Sequence, residues 1–188
     1  VVSAAGHVFG YASLVAAPGT RRARLPGHRR VWGVAMDNAV AIPGYKVYEL
    51  PDGRRPPLAV AFLDLEPAPG DGHGVDGALL PVDADALAAL DARERQYERV
   101  EVTGAVVADG DGPPPAGPVW TYVGRAPGRA RVTAGRAGRA PVAVQRAYVD
   151  LVEAAFARLG AEALARFRAS TEAPPFPVLE LARIDLPA

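Results

Sequence analysis

The sequence predicts an α+β fold, a small antiparallel or mixed β-barrel flanked by α-helices, on three observations. Short apolar segments recur between Gly/Pro clusters, as strands bounded by turns do. Only two stretches keep a helical period. Those two lie mid-chain and late, not alternating with strands as βαβ units would.

Taken in order, residues 6–11 form a first strand, followed by an Arg/Pro/Gly-rich loop over 16–27. Residues 30–37 set Val31, Gly33 and Ala35 on one face and Trp32, Val34 and Met36 on the other. The nearly continuous apolar run 58–65 predicts a strand buried on both sides. Further strands are expected over 77–82, 97–107, 119–123 and 178–184. A helix over 85–94 carries Leu87 and Leu90 on one face, with Asp83 or Asp85 as its N-cap. A second, over 144–159, repeats Tyr148, Leu151, Val152, Ala155, Phe156 and Leu159 at the helical period, and Gly160 ends or bends it before 161–167 resumes the pattern. The stretches 67–74, 109–118 and 125–139 read as surface loops. One domain over 1–188 is expected, with a C-terminal extension from about residue 170.

Composition narrows the function. The 21 basic residues balance 21 acidic ones, so no overall field favours nucleic acid or an anionic membrane. All the basic residues are Arg except Lys46. The chain has no cysteine, which rules out disulfides, thiolate nucleophiles and Cys-ligated metal. No apolar run reaches the roughly 20 residues of a membrane span. No signal peptide is visible. A cytoplasmic location is therefore expected, and the sequence is silent on oligomeric state.

Two segments carry candidate chemistry. After Gly10 the chain enters Tyr11, Ala12, Ser13 and Leu14, where small side chains would expose backbone N–H groups to a carboxylate or a developing oxyanion. The competing reading is an ordinary strand-end turn. Glu94 lies four residues after Leu90 and seven after Leu87, so on a helix it projects with the leucines. A carboxyl placed there is desolvated and suited to carrying a proton near neutral pH. The competing reading is a helix-end Glu that turns outward or pairs with Arg93 or Arg99. Glu98 and Glu101 are weaker candidates. His7, His28 and His73 have no metal-ligand spacing, and nothing supports a Ser-His-Asp triad. Gly70-x-Gly72-x-Gly74 has no helix after it and is no dinucleotide fingerprint. The arginines of 125–139 lack interleaved aromatics, so a solvated loop is preferred to a nucleic-acid contact.

The order Phe9-Gly10-Tyr11-Ala12-Ser13-Leu14, then Val75-Asp76-Gly77-Ala78-Leu79-Leu80, then Leu90-Asp91-Ala92-Arg93-Glu94 with Tyr97 after it, resembles the signature regions of the gamma-glutamylcyclotransferase-like superfamily, with its ChaC and AIG2-like branches. The resemblance spans roughly residues 8–102, with an echo at Tyr148. It implies a small β-barrel with a cavity at its mouth. It also implies a substrate cradle at Tyr11, Ala12, Ser13 and Leu14, with Tyr148 nearby and Glu94 as general acid/base. The implied reaction closes the γ-glutamyl group of a small-molecule substrate to 5-oxoproline and releases an amine or amino acid, with no metal or organic cofactor. Two positions depart from the pattern. Ala12 replaces a loop glycine, and Gln145-Arg146-Ala147-Tyr148 stands where Ser-x-x-Tyr is expected. A Cβ at position 12 could crowd the substrate or forbid a positive φ, so a non-catalytic small-molecule binding module on the same fold is the alternative.

Overall fold

The computed structural model describes residues 6–70, 72, 74–109 and 114–187. His73 and parts of the expected 67–74 and 109–118 loops lie outside the described residues. The elements run, in order, β1 (Gly6–Gly10), a 3-10 turn (Ser13–Ala16), β2 (Arg21–Pro26), β3 (His28–Asp37), β4 (Lys46–Glu49), β5 (Ala59–Pro67), β6 (Gly74–Val82) and α1 (Ala84–Arg93). There follow β7 (Tyr97–Glu101), β8 (Val107–Ala108), β9 (Val119–Gly124), α2 (Ala126–Arg136), β10 (Val142–Gln145), α3 (Arg146–Arg158), α4 (Ala161–Ser170), β11 (Val178–Leu179) and β12 (Ala182–Asp185).

The strands make three sheets: β7-β9-β1-β6-β2-β8, β11-β10-β5-β3, and β12-β4. They are mixed, since β1 runs parallel to β9, and β10 parallel to both β5 and β11. The expected α+β class holds, but among the described residues no ladder closes into a barrel. The chain changes sheet at corners instead. Gly27, at φ 68°, turns β2 of the first sheet into β3 of the second, a conformation that favours glycine.

Strand β5 is buried along Ala59–Leu65, as its apolar run predicts. The one charge in that buried run, Asp64, is fully enclosed and fully partnered: Oδ1 accepts the N–H of Gly124 and of Leu65 at 2.7 Å, and Oδ2 meets Arg129 Nε at 2.8 Å. That pair corrects two expectations. Residues 125–139 are not a loop; they hold helix α2, whose Pro127 sits in the first turn, where a missing N–H costs nothing. Its glycines permit close approach rather than flexibility, because a Cβ on Gly128 would stand 2.6 Å from Val34 Cγ2. The expected 16–27 loop likewise contains β2, which pairs with β6 from Arg21↔Leu79 to Pro26↔Gly74.

The main core lies between the two larger sheets and under α3 and α4, centred on Phe9, Leu25, Leu63, Leu65, Phe156 and Phe167. A second cluster, with Val34, Met36, Tyr45, Tyr48, Val60 and Phe62, packs partly buried Tyr97 and Tyr148 at its edge. The segment after α4 is tied down: Phe176 enters the core, and Gln145 donates to the Leu181 carbonyl at 2.7 Å. The single strand expected over 178–184 is two short ones, β11 beside β10 and β12 beside β4. No helix among the described residues is long and apolar enough to cross a membrane.

Candidate active site

A cavity of about 420 Å³ opens beside the second cluster, and Tyr11, Ala12, Ser13, Leu14, Glu94 and Tyr148 all line it. Three distant segments thus bring their candidate residues to one place.

The 11–14 segment is shaped by what precedes and underlies it. A Cβ on Gly10 would meet Leu14 Cβ at 2.6 Å, so glycine there lets the chain fold back on β1. The first bond of the 3-10 turn runs from Val15 N–H to the Ala12 carbonyl, which leaves the N–H groups of Ser13 and Leu14 outside the turn's own ladder. Ala12 adopts φ −139°, a value open to any residue, so its Cβ imposes no left-handed strain. Tyr11 is an inward anchor, its hydroxyl donating to the Tyr122 carbonyl at 2.8 Å.

Beneath the loop lies Arg30, only 2% exposed. It donates from Nε to the Tyr11 carbonyl and from Nη1 to Thr171 Oγ1, both at 2.8 Å, and from Nη2 to the Asp76 carbonyl. Its guanidinium lies 4.7 Å from the Phe167 ring centre and 5.0 Å from that of Phe156. Burial pulls its pKa down to about 10, so it stays charged at neutral pH.

Helix α1 begins as expected, with Asp83 accepting the Ala86 N–H at 2.8 Å. It ends at Arg93, and Glu94 is its C-cap, still bonding its N–H to Leu90 at 2.9 Å. Leu87 is buried and Leu90 packs beside it, so the apolar face is as predicted. The Glu94 side chain is 17% exposed, and Arg93 reaches its Oε1 from Nη2 at 2.7 Å and from Nε at 2.9 Å. Glu94 thus lines the cavity and at the same time pairs with Arg93, as one of its two readings expects.

Two phenols of the cavity wall bond the Leu63 peptide, one as donor and one as acceptor. Tyr97 gives its hydroxyl to the Leu63 carbonyl at 2.9 Å, and Tyr148 takes the Leu63 N–H at 3.4 Å, with its ring edge-on to Phe62. Burial raises the pKa of Tyr11, Tyr97 and Tyr148, and the charge of Glu94 adds to the shift at each. All three stay protonated across the physiological range.

Several lining residues escaped the sequence reading: Tyr45, Tyr48, Gln96, Arg183 and above all Lys46. Lys46 was marked only as the one lysine among arginines. Its Nζ packs 4.7 Å from the Phe62 ring centre and 5.5 Å from that of Tyr45. Burial pulls its pKa down to about 8, with Arg183 next in effect. Elsewhere, no group of three or more metal-ligating His, Cys, Asp or Glu side chains occurs among the described residues. The arginines of α2 are structural: Arg129 meets Asp64, Arg131 the Ala35 carbonyl and Arg136 Glu172.

A family model described as gamma-glutamyl cyclotransferase, AIG2-like, matches residues 8–137. No curated protein matches the sequence. Solved structures share the fold at low identity. YkqA from Bacillus subtilis superposes with TM-score 0.55 at 16% identity, over 87% of this chain but 52% of its own length. A structure described as gamma-glutamyl cyclotransferase gives 0.50 at 13%, over 92% of each chain. The protein loc79017 from Homo sapiens gives 0.50 at 13%, over 95% of this chain and 94% of its own.

Proposed function

The chain belongs to the gamma-glutamyl cyclotransferase, AIG2-like family, and from that premise we propose that it closes the γ-glutamyl group of a small-molecule substrate to 5-oxoproline. The observation that carries the reading is the convergence of residues 11–14, Glu94 and Tyr148 on one cavity with a single lining carboxylate.

In the proposed reaction the substrate's α-amine attacks its own γ-carbonyl carbon. Glu94 takes a proton from the ammonium and delivers it to the departing nitrogen, and the second proton that the attacking nitrogen sheds as it becomes the ring N–H follows, so that the amine leaves as an ammonium. The γ-C–N bond to the leaving amine breaks as the ring C–N bond forms, and no water is consumed. Such a proton carrier contributes roughly 10²–10⁴-fold. Folding the chain of the substrate so that its two ends meet supplies much of the rest, because the attack is intramolecular. The N–H groups of Ser13 and Leu14 are suited to the α-carboxylate or the tetrahedral oxyanion. Tyr97 and Tyr148, each bonded to the Leu63 peptide, hold the wall against which the substrate bends. The proposed setting is a reducing cytoplasm, in keeping with the absence of cysteine.

The alternative of a non-catalytic binding module leaned on Ala12, and its negative φ removes the backbone part of that objection. The deciding experiment is turnover of γ-glutamyl compounds in ¹⁸O-water, with products read by mass spectrometry. Cyclotransfer predicts unlabelled 5-oxoproline and one equivalent of free amine. Labelled glutamate would make the protein a hydrolase, and binding without products would make it a binding module.

A further inference from the structure

We propose that Lys46, with Arg183 beside it, forms a subsite that selects γ-glutamyl compounds whose released amine carries a carboxylate. The inference deepens the cyclotransferase reading and rests on it.

Lys46 is a cation with no carboxylate of its own. Lys46 lies on β4, and both it and Arg183 line the cavity. Strand β4 is held from two sides: Asn38 accepts the Tyr48 N–H at 2.7 Å and returns a bond to the Tyr48 carbonyl at 2.8 Å, and β12 pairs along its other edge. The backbone that carries Lys46 is therefore held along both edges. Aromatic rings from Tyr45, Tyr48 and Phe62 surround it, at 4.7–6.0 Å. Rings attract a cation, but they do not neutralise it.

The two carboxylates that act on Lys46 are each engaged by an arginine. Asp185, opposite Lys46 in the β4–β12 register, accepts from Arg183 at 2.6 and 2.8 Å. Glu94 is held by Arg93. No ion pair or hydrogen bond from Lys46 Nζ is made among the described residues. The charged groups lining the cavity are Lys46, Arg93 and Arg183 against Glu94, an excess of two positive charges. A cation withdrawn from water without a counter-charge is costly, and a ligand that supplies the anion recovers that cost on binding. Burial first and Arg183 second depress the pKa of Lys46, opposed by Glu94 and Asp185, which is the same cost in another form.

The ligand's charge matches. A γ-glutamylamine is a neutral zwitterion, whereas a γ-glutamyl amino acid or peptide carries one further carboxylate, on the leaving side. Of the two uses open to the Ser13 and Leu14 N–H groups, the inference takes the first, in which they hold the substrate's own α-carboxylate. The second carboxylate is therefore the one left for Lys46.

The test compares γ-glutamylalanine with γ-glutamylethylamine, which differ by that carboxylate alone, in wild type, Lys46→Met, Lys46→Gln and Lys46→Arg. Turnover and calorimetric binding are both measured. The expected result is a preference of about tenfold or more for the alanine compound in kcat/KM and in affinity. That preference collapses in Lys46→Met and Lys46→Gln and is largely kept in Lys46→Arg. Equal losses on both compounds, leaving the ratio unchanged, would overturn the inference by assigning Lys46 to the glutamyl half. A preference that survives both neutral variants would overturn it too. Absence of turnover would sink the cyclotransferase reading, and the binding ratio would still decide the subsite.

Discussion

Arg30 donates from Nε to the carbonyl of Tyr11 at 2.8 Å, so a buried cation fixes the first residue of the candidate substrate loop. The same side chain bonds Thr171, beyond α4, and the Asp76 carbonyl on β6. Three parts of the chain meet on one guanidinium. Arg30→Ala leaves these acceptors unpaired beside a void and is expected to lower stability by roughly 3–5 kcal/mol. Arg30→Met fills the volume and recovers part of that loss. Both variants should raise KM, because the loop loses its anchor. Urea denaturation and steady-state kinetics check this.

Two nearby loop positions should lose stability for different reasons and by different amounts. Gly10→Ala drives a methyl to within 2.6 Å of Leu14 Cβ and displaces the turn, with a loss of roughly 1–3 kcal/mol and of turnover. Ala12→Gly relieves no left-handed strain, since φ is already −139°. It only adds freedom to the unfolded chain, at about 0.4–1 kcal/mol. Thermal denaturation of the two variants separates the cases. A stabilised Ala12→Gly would mean that the alanine is strained.

Stability should carry the titration of Lys46. Its pKa is about 8 in the folded protein against 10.5 for a free lysine. The unfolded chain therefore binds the proton more tightly between those values. The penalty for burying the charge is complete below pH 8 and fades as pH rises toward 10.5. Lys46→Met should be more stable than wild type at pH 7, by on the order of 2 kcal/mol, and the gap should narrow at pH 10. Denaturant midpoints at pH 6, 7, 9 and 10 measure it. A gap constant with pH would contradict this environment for Lys46.

Much of the fold was legible because burial writes itself into pattern. The run 58–65 is apolar because β5 is covered on both faces, and of the α3 period Val152, Ala155 and Phe156 are buried while Leu151 is exposed and lines the cavity. Helix α2 was hidden for the opposite reason. Its Pro127, Gly128 and Gly135 resemble loop punctuation, yet they serve the first turn and two close contacts with Val34 and Val142. Strand β2 was masked by its arginines, which suit a strand with one partly exposed face. At the site, Glu94 and residues 11–14 stood out through their local chemistry. Lys46, Tyr45 and Arg183 did not, because a strand pairing between β4 and the distant β12 brings them there. Such a pairing leaves no trace in local spacing; the one available signal was a lysine in a chain of arginines.

The central claim is that Glu94 carries the proton of a cyclotransfer. The most direct test is the rate of 5-oxoproline formation by Glu94→Gln beside wild type, with both melting curves recorded. Gln keeps the shape and a bond to Arg93 but cannot take the proton. A fall of roughly 10²–10⁴-fold in kcat is expected with nearly unchanged melting, because the Arg93–Glu94 pair is half-exposed on the arginine side and adds little to stability. Wild-type turnover in Glu94→Gln would contradict it.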